Sequence, residues 1–300
     1  MNCKSAYKII SAFLIILTNK LYCSIIIDNK LLCKSMFKYK NFKVERIDME
    51  LGIKNKNVLI VGASKGIGKG IAIGFAEENA NIVAVARTEE LMIEVKEECI
   101  SKGAASFEYV IADIMEIDTK EFAKSLVEKY GIFDIVVHNV GGSLISRDPL
   151  GGADEWNYAL KFNAVASIDM NSVLVPPMIE RGWGRIIQIS SISAVMLRGN
   201  PLYASAKAFL NSYVTTVGRA LAPHGVVLSA VEPGAVSFEG SYWDKFIKEG
   251  HPRVDDFLRH HQAINRFGTP KEIADVVLFM ASDLCSFMPG AIIPVDGANM

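Results

Sequence analysis

The chain has 300 residues, half of them hydrophobic and 22% charged, with a formal net charge of −1 at pH 7. That length and apolar content suffice for a sizeable core, and the charge balance argues against a nucleic-acid partner, which needs a basic excess gathered on one face. Five cysteines (Cys3, Cys23, Cys33, Cys99, Cys285) include no CxxC pair and no histidine at metal-ligand spacing, so neither a metal site nor a disulfide framework is expected and a reducing, cytoplasmic location fits.

Residues 1–48 differ in composition from everything after them. Eight Lys, one Arg and three acids give this segment +6 and leave −7 for residues 49–300. Ile9–Thr18 is an apolar run between Lys8 and Lys20, the length of a signal-peptide core and short of the roughly 18 to 20 residues a spanning helix needs. No small-x-small cleavage site follows it. The segment is read as an N-terminal extension, a disordered leader or sequence upstream of a start at Met49, in preference to a working signal or membrane anchor. Residues 49–300 are read as one domain.

From Asn57 short apolar strands alternate with amphipathic helices, which implies a parallel sheet. Strands are predicted at Asn57–Val61, Asn81–Ala86, Ser106–Ile111, Phe133–His138, Gly184–Ile189, Val226–Val231 and Ile292–Val295. Helices are predicted near Ile67–Glu78, Glu89–Lys102, Thr119–Tyr130, Asp154–Arg181, Tyr203–Leu221 and Pro270–Ser282. Seven strands with helical crossovers describe a doubly wound α/β sheet, undivided by any linker or repeat.

Between the first strand and the first helix lies Gly62-Ala63-Ser64-Lys65-Gly66-Ile67-Gly68. Gly62 can make the tight turn, and Gly66 and Gly68 let backbone amides at a helix N-terminus approach a pyrophosphate, so the loop reads as a dinucleotide cradle. An NAD site places an acid at the end of the second strand for the ribose 2′-hydroxyl. This chain has Arg87 there, nineteen residues past Gly68. The guanidinium can take a 2′-phosphate, and Lys65 can add a second positive charge, which favours NADP(H) over NAD(H). Glu89 and Glu90 are the alternative partners for Arg87.

Arg185–Lys207 gathers hydroxyls, a phenol and an ammonium into one strand-loop-helix passage. Ser190, Ser191 and Ser193 follow the fifth strand at the end where open α/β sheets place ligands. Tyr203 and Lys207 stand four apart on one helix face, a candidate acid/base pair.

With these residues in order, the sequence over residues 55–300 resembles the short-chain dehydrogenase/reductase family in its compact single-domain branch, and is similar to 3-oxoacyl-carrier-protein-reductase-like members. The resemblance implies a Rossmann-type sheet and hydride transfer between a nicotinamide and a carbonyl or alcohol carbon. It implies that Asp113, followed by Ile114, contacts adenine. His138-Asn139-Val140-Gly141 stands where the family has Asn-Asn-Ala-Gly, keeping Asn139 and Gly141 for the cofactor and making His138 a structural substitute. Pro233, Gly234 and Val236 match the segment at the nicotinamide carboxamide, with Ser237 where a Thr is common. The catalytic set carried over is Asn163, Ser191, Tyr203 and Lys207. Ser191 precedes Tyr203 by one position less than in many members, a spacing that Ser190 would restore; Ser191 better matches the strand-end pattern.

The implied roles follow from elementary chemistry. Tyr203, whose unperturbed pKa is ~10, is the general acid in reduction, and the Lys207 ammonium is expected to favour its phenolate and to hold the nicotinamide ribose. Ser191 donates to the substrate oxygen. Asn163 anchors a water for proton resupply. Gly142–Gly152 and Phe238–Gln262 are the expected pocket loops. The second bears Tyr242, Trp243, Phe246 and Phe257, rings that face either the substrate or one another. Arg147, Arg198, His260 and His261 offer charge to a polar substrate or to solvent. The partner is then a small carbonyl or alcohol, and the family's habit is a homodimer or homotetramer through the two long helices. A reductase of a sugar-like intermediate in surface-glycan or flagellin modification, a non-catalytic NADP-binding sensor or scaffold, and a membrane-attached form held by residues 9 to 18 are the alternatives.

Overall fold

The computed structural model describes residues 50–143, 148–197 and 199–299. In chain order the elements are β1 (Asn57–Val61), α1 (Gly66–Glu77), β2 (Asn81–Ala86), α2 (Glu89–Lys102), β3 (Ser106–Ile111), α3 (Thr119–Tyr130) and β4 (Ile135–His138). Next come α4 (Ala153–Leu160), a π turn over Lys161–Val165, α5 (Ala166–Arg181), β5 (Gly184–Ile189), α6 (Ser193–Met196) and α7 (Pro201–Leu221). The chain closes with β6 (Val226–Pro233), α8 (Tyr242–Lys248), α9 (Arg253–His261), α10 (Pro270–Ala281) and β7 (Ile292–Val295).

The strands form one sheet in the order β3-β2-β1-β4-β5-β6-β7, every pair parallel. Winding reverses between β1 and β4, so a crevice opens there at the carboxyl ends of the strands. Alternation along each strand feeds two layers. Val58 and Ile60 pack with Ile71, Phe75, Ile273 and Val277 on one face, while Leu59 and Val61 pack with Met170, Leu174 and Val214 on the other. Because helices cover both faces, every residue of β5 and of β6 is buried. Each fully buried Val, Leu, Ile or Phe contributes about 1.5–3 kcal/mol relative to exposure.

Helix starts follow local chemistry. Asn200 caps α7, its side chain accepting from Leu202 N at 3.0 Å and Tyr203 N at 3.4 Å, with Pro201 in the first turn, where its missing N–H costs nothing. Thr269 and Glu272 form a capping box at α10, and Arg266 clasps Glu272 at 2.6 and 3.0 Å. The helix predicted over Asp154–Arg181 is instead α4, the π turn and α5. The extra residue of a π turn rotates Asn163 so that its Nδ2 reaches Ala159 O at 3.1 Å. β6 runs two residues beyond its predicted end, because Glu232 and Pro233 pair in register with Pro294 and Val295 of β7.

Candidate active site

The loop from Gly62 to Gly68 joins β1 to α1 at the crevice. Gly62 has φ 93°, and a Cβ there would come 2.9 Å from Val140 Cγ2. A Cβ on Gly68 would run into the Gly62 carbonyl and lie 2.6 Å from Asn139 Nδ2, so only glycine lets α1 approach β1 and β4 this closely. Asn139 Nδ2 donates to that same carbonyl at 2.7 Å. Ile67 packs against the core and Ser64 is half-buried. The start of α1 has no side-chain cap and no acid in its first turn, leaving its amides and the positive end of its dipole for an anion. The other approach to Gly66 is covered by Phe238, whose ring would come within 2.6 Å of a Cβ there.

At the ends of β2 and β3, Arg87 Nη1 lies 3.3 Å from Asp113 Oδ2, and the Arg87 side chain is 63% exposed. Asp113 Oδ1 also accepts from Met115 N at 3.0 Å. Arg87 is thus held by Asp113, whereas Glu89 meets the Tyr109 hydroxyl. Ile114 turns inward into the core at 6% exposure. Lys65 is exposed at the head of α1. An uncapped helix start, a close-approach glycine turn and two accessible cations make a donor set that fits a phosphorylated dinucleotide.

Across the crevice, Asn163 Oδ1 accepts from Gly142 N at 2.8 Å while its Nδ2 faces Gly142 O at 3.3 Å. Gly141 is wedged between this amide and Lys207: a Cβ there would lie 2.7 Å from Asn163 Oδ1 and 3.0 Å from Lys207 Nζ. Lys207 is buried, its Nζ donating to Ile189 O at 2.8 Å and lying 5.9 Å from the centre of the Tyr203 ring. Burial brings its pKa down to about 7. Burial also pushes the Tyr203 phenol above its ordinary value, and a hydrogen bond with Ser191 works against that rise. In this geometry the influence lowering the phenol is Ser191.

The adjacent serines separate cleanly. Ser191 Oγ accepts from Ser193 N at 3.1 Å and its hydroxyl tempers the rise of the Tyr203 phenol, whereas Ser190 Oγ donates to Asn211 Oδ1 at 2.6 Å. Asn211 and its second partner, Glu232, were not among the predicted site residues. The readable signal was a polar residue four past Lys207, one turn further along the helix face that carries Tyr203 and Lys207. His138 is buried, its Nε2 2.9 Å from Asn171 Oδ1, and desolvation lowers its pKa to about 4.

Pro233 ends β6, and Gly234 N donates to Val295 O at 3.0 Å, with no room for a Cβ against Asp296. Val236 bridges to Gly268. Beyond it the rings of the Phe238–Gln262 segment pack on one another. Trp243 lies 4.4 Å from Phe257 and 5.1 Å from Phe267, and Phe257 stacks on Phe267 at 5.9 Å. His260 Nδ1 is 3.1 Å from Asp256 Oδ1, and His261 faces Phe257 at 5.3 Å. Arg147 and Arg198 lie outside the described residues, as do residues 1–48. Among the described residues no cluster of His, Cys, Asp and Glu could hold a metal ion, and no helix is long and apolar enough to cross a membrane.

Known proteins are similar to this chain in sequence and in fold. Residues 62–298 match the family model described as enoyl-(acyl carrier protein) reductase. The chain is 30% identical over 251 residues to the 3-oxoacyl-(acyl-carrier-protein) reductase of Thermotoga maritima, covering 82% of this chain and 98% of that one. Its structure is similar to L-sorbose reductase from Gluconobacter frateurii complexed with NADPH and L-sorbose, with a TM-score of 0.77, 28% identity, and coverage of 83% and 98%. A 3-oxoacyl (acyl-carrier-protein) reductase from Agrobacterium tumefaciens with NADP bound gives a TM-score of 0.77 at 25% identity, with coverage of 86% and 99%.

Proposed function

The chain belongs to the short-chain dehydrogenase/reductase family, and from that premise we propose that it is an NADP(H)-dependent reductase of a ketone or aldehyde, running reversibly as an alcohol dehydrogenase. The observation that carries the proposal is buried Lys207, its Nζ on Ile189 O at 2.8 Å and 5.9 Å from the centre of the Tyr203 ring, with the Ser191 hydroxyl acting on the same phenol.

The nicotinamide supplies the hydride; the chain's own groups bind, orient and move the proton. Arg87, paired with Asp113, and Lys65 would hold the 2′-phosphate, and the uncapped amides at the start of α1 would take the pyrophosphate. Asp113 and the backbone of Ile114, whose side chain is in the core, would border the adenine; Asn139, Gly141, Pro233, Gly234 and Val236 would shape the nicotinamide end. Ser191 donates to the substrate oxygen, stabilising the negative charge that grows on it. Tyr203 delivers its phenolic proton to that oxygen, yielding the alcohol. Lys207, its Nζ 5.9 Å from the Tyr203 ring centre, would hold the nicotinamide ribose, while Ser191 is the group that works against the rise burial imposes on the phenol. Asn163, its amide engaged by Gly142 and Ala159, supports the proton relay by fixing the backbone beside Lys207.

Two substrate classes stand nearest, a 3-oxoacyl thioester by likeness to the Thermotoga relative and a ketose by likeness to the sorbose reductase. Val195 and Leu197, four and six residues after Ser191 and 68% and 70% exposed, favour a substrate with an apolar part. Assembly as a homodimer or homotetramer fits the exposed apolar side chains of Tyr158 on α4 and Phe209 on α7.

The test is a panel of carbonyl substrates offered with NADPH or NADH. NADPH oxidation dependent on a ketone or aldehyde is expected. A preference for NADH would overturn the role of Arg87, and no turnover across the panel would overturn the reading of the site.

A further inference from the structure

Helix α7 carries three polar residues one turn apart on a single face, Tyr203, Lys207 and Asn211, and the chemistry above uses only the first two. Asn211 reaches both neighbouring strand ends. Ser190 Oγ donates to its Oδ1 at 2.6 Å, and its Nδ2 donates to Glu232 Oε1 at 2.6 Å. Ser190 and Glu232 are each 4% exposed. Ser190 is the residue before Ser191, and Glu232 is the residue before Pro233. The strands themselves are in register, Ile189 beside Val231, with Ser190 N bonded to Val231 O at 2.8 Å. One amide therefore ties the helix bearing Tyr203 and Lys207 to the two strand ends from which Ser191 and the Pro233–Gly234 segment depart.

Packing alone does not call for this. The same helix buries apolar side chains such as Leu202, Leu210 and Val214 elsewhere, whereas the trio buries a carboxyl whose pKa desolvation raises and the Asn211 bond lowers. A buried polar network of this kind holds one geometry, because a displaced partner leaves a polar group unpaired in a dry interior. Asn211 lies about 12 Å along the helix axis from Tyr203, so fixing it limits both sliding and rotation of the whole catalytic face.

We propose that Asn211, through Ser190 and Glu232, is a positioning residue that sets the distance between Tyr203 and Ser191. The proposal rests on the reduction chemistry proposed above and adds to it a clamp outside the reacting groups.

The test is steady-state kinetics on the wild-type chain, Asn211→Leu, Glu232→Leu and Glu232→Gln, with dinucleotide affinity titrated separately by fluorescence. Leucine at 211 keeps the number and branching of side-chain heavy atoms and breaks both bonds; glutamine at 232 keeps the acceptor oxygen that Asn211 uses. Asn211→Leu and Glu232→Leu are expected to lose about 10- to 100-fold in kcat, the scale of a small misplacement of reacting groups, with dinucleotide affinity unchanged. Glu232→Gln is expected to recover most of that loss. A folded Asn211→Leu with unchanged kcat, or a Glu232→Gln as poor as Glu232→Leu, would overturn the proposal. A second readout does not depend on turnover: the Tyr203 titration midpoint, taken as the tyrosinate absorbance missing from Tyr203→Phe, should rise in Asn211→Leu as Ser191 drifts away. An unmoved midpoint contradicts the clamp even if the wild-type chain proves not to be a reductase.

Discussion

Lys207 is 2% exposed with its Nζ on the carbonyl of Ile189, and burial takes its pKa from 10.5 to about 7. Between those values the unfolded chain binds the proton and the folded chain does not, so stability rises as pH increases through this window. The charged side chain costs most below about pH 7. Lys207→Met should therefore gain on the parent most at low pH, with the gain shrinking as pH rises from about 7 toward 10; urea unfolding across that range reads the slope, and a pH-independent difference would mean that Lys207 is not held charged in a dry site. Arg87 is the second residue with a sharp expectation. Arg87→Ala should weaken NADPH about tenfold or more by removing a charge-assisted contact, and leave NADH nearly untouched, as read by fluorescence titration. The two adjacent serines show where sequence reading stops at this scale. Spacing allowed either, and what separates them is Asn211, twenty-one positions from Ser190, which takes up the Ser190 hydroxyl.

The strands were legible because doubly covered β-strands are short apolar runs with no polar alternation to confuse them, as Val58–Val61 and Ile186–Ile187 illustrate. The break in the long helix after Asp154 was not, since the apolar spacing runs on through Phe162, Ala164 and Ala166 while the backbone inserts one residue. Nor were α8 and α9, whose aromatic residues lack a helical stripe against the main core and instead face each other. Helix α10 offers the cleanest test of local chemistry. Thr269→Ala removes one half of a capping box and should cost about 1 kcal/mol of stability in urea unfolding, with no effect on cofactor selectivity.

At the largest scale, the domain of described residues gathers the candidate site residues along the end of the sheet where its winding reverses. Residues from the carboxyl ends of six strands meet there: Gly62 after β1, Arg87 after β2, Asp113 after β3, Asn139 after β4, Ser191 after β5 and Pro233 at the end of β6. The fold class and this convergence were readable from motif order alone, because each motif directly follows a strand. The substrate was not, because the segments that would recognise it, around residues 142–152 and 238–262, carry no periodicity tied to the core. The central claim is that Tyr203 is the proton donor of an NADPH-dependent carbonyl reduction. Its most direct measurement is NADPH oxidation by the wild-type chain and by Tyr203→Phe on the same reducible ketone, with NADPH binding titrated in parallel. Tyr203→Phe is predicted to lose about 10²- to 10⁴-fold in kcat while binding the dinucleotide as before; a variant that binds NADPH and keeps nearly full turnover would contradict the account.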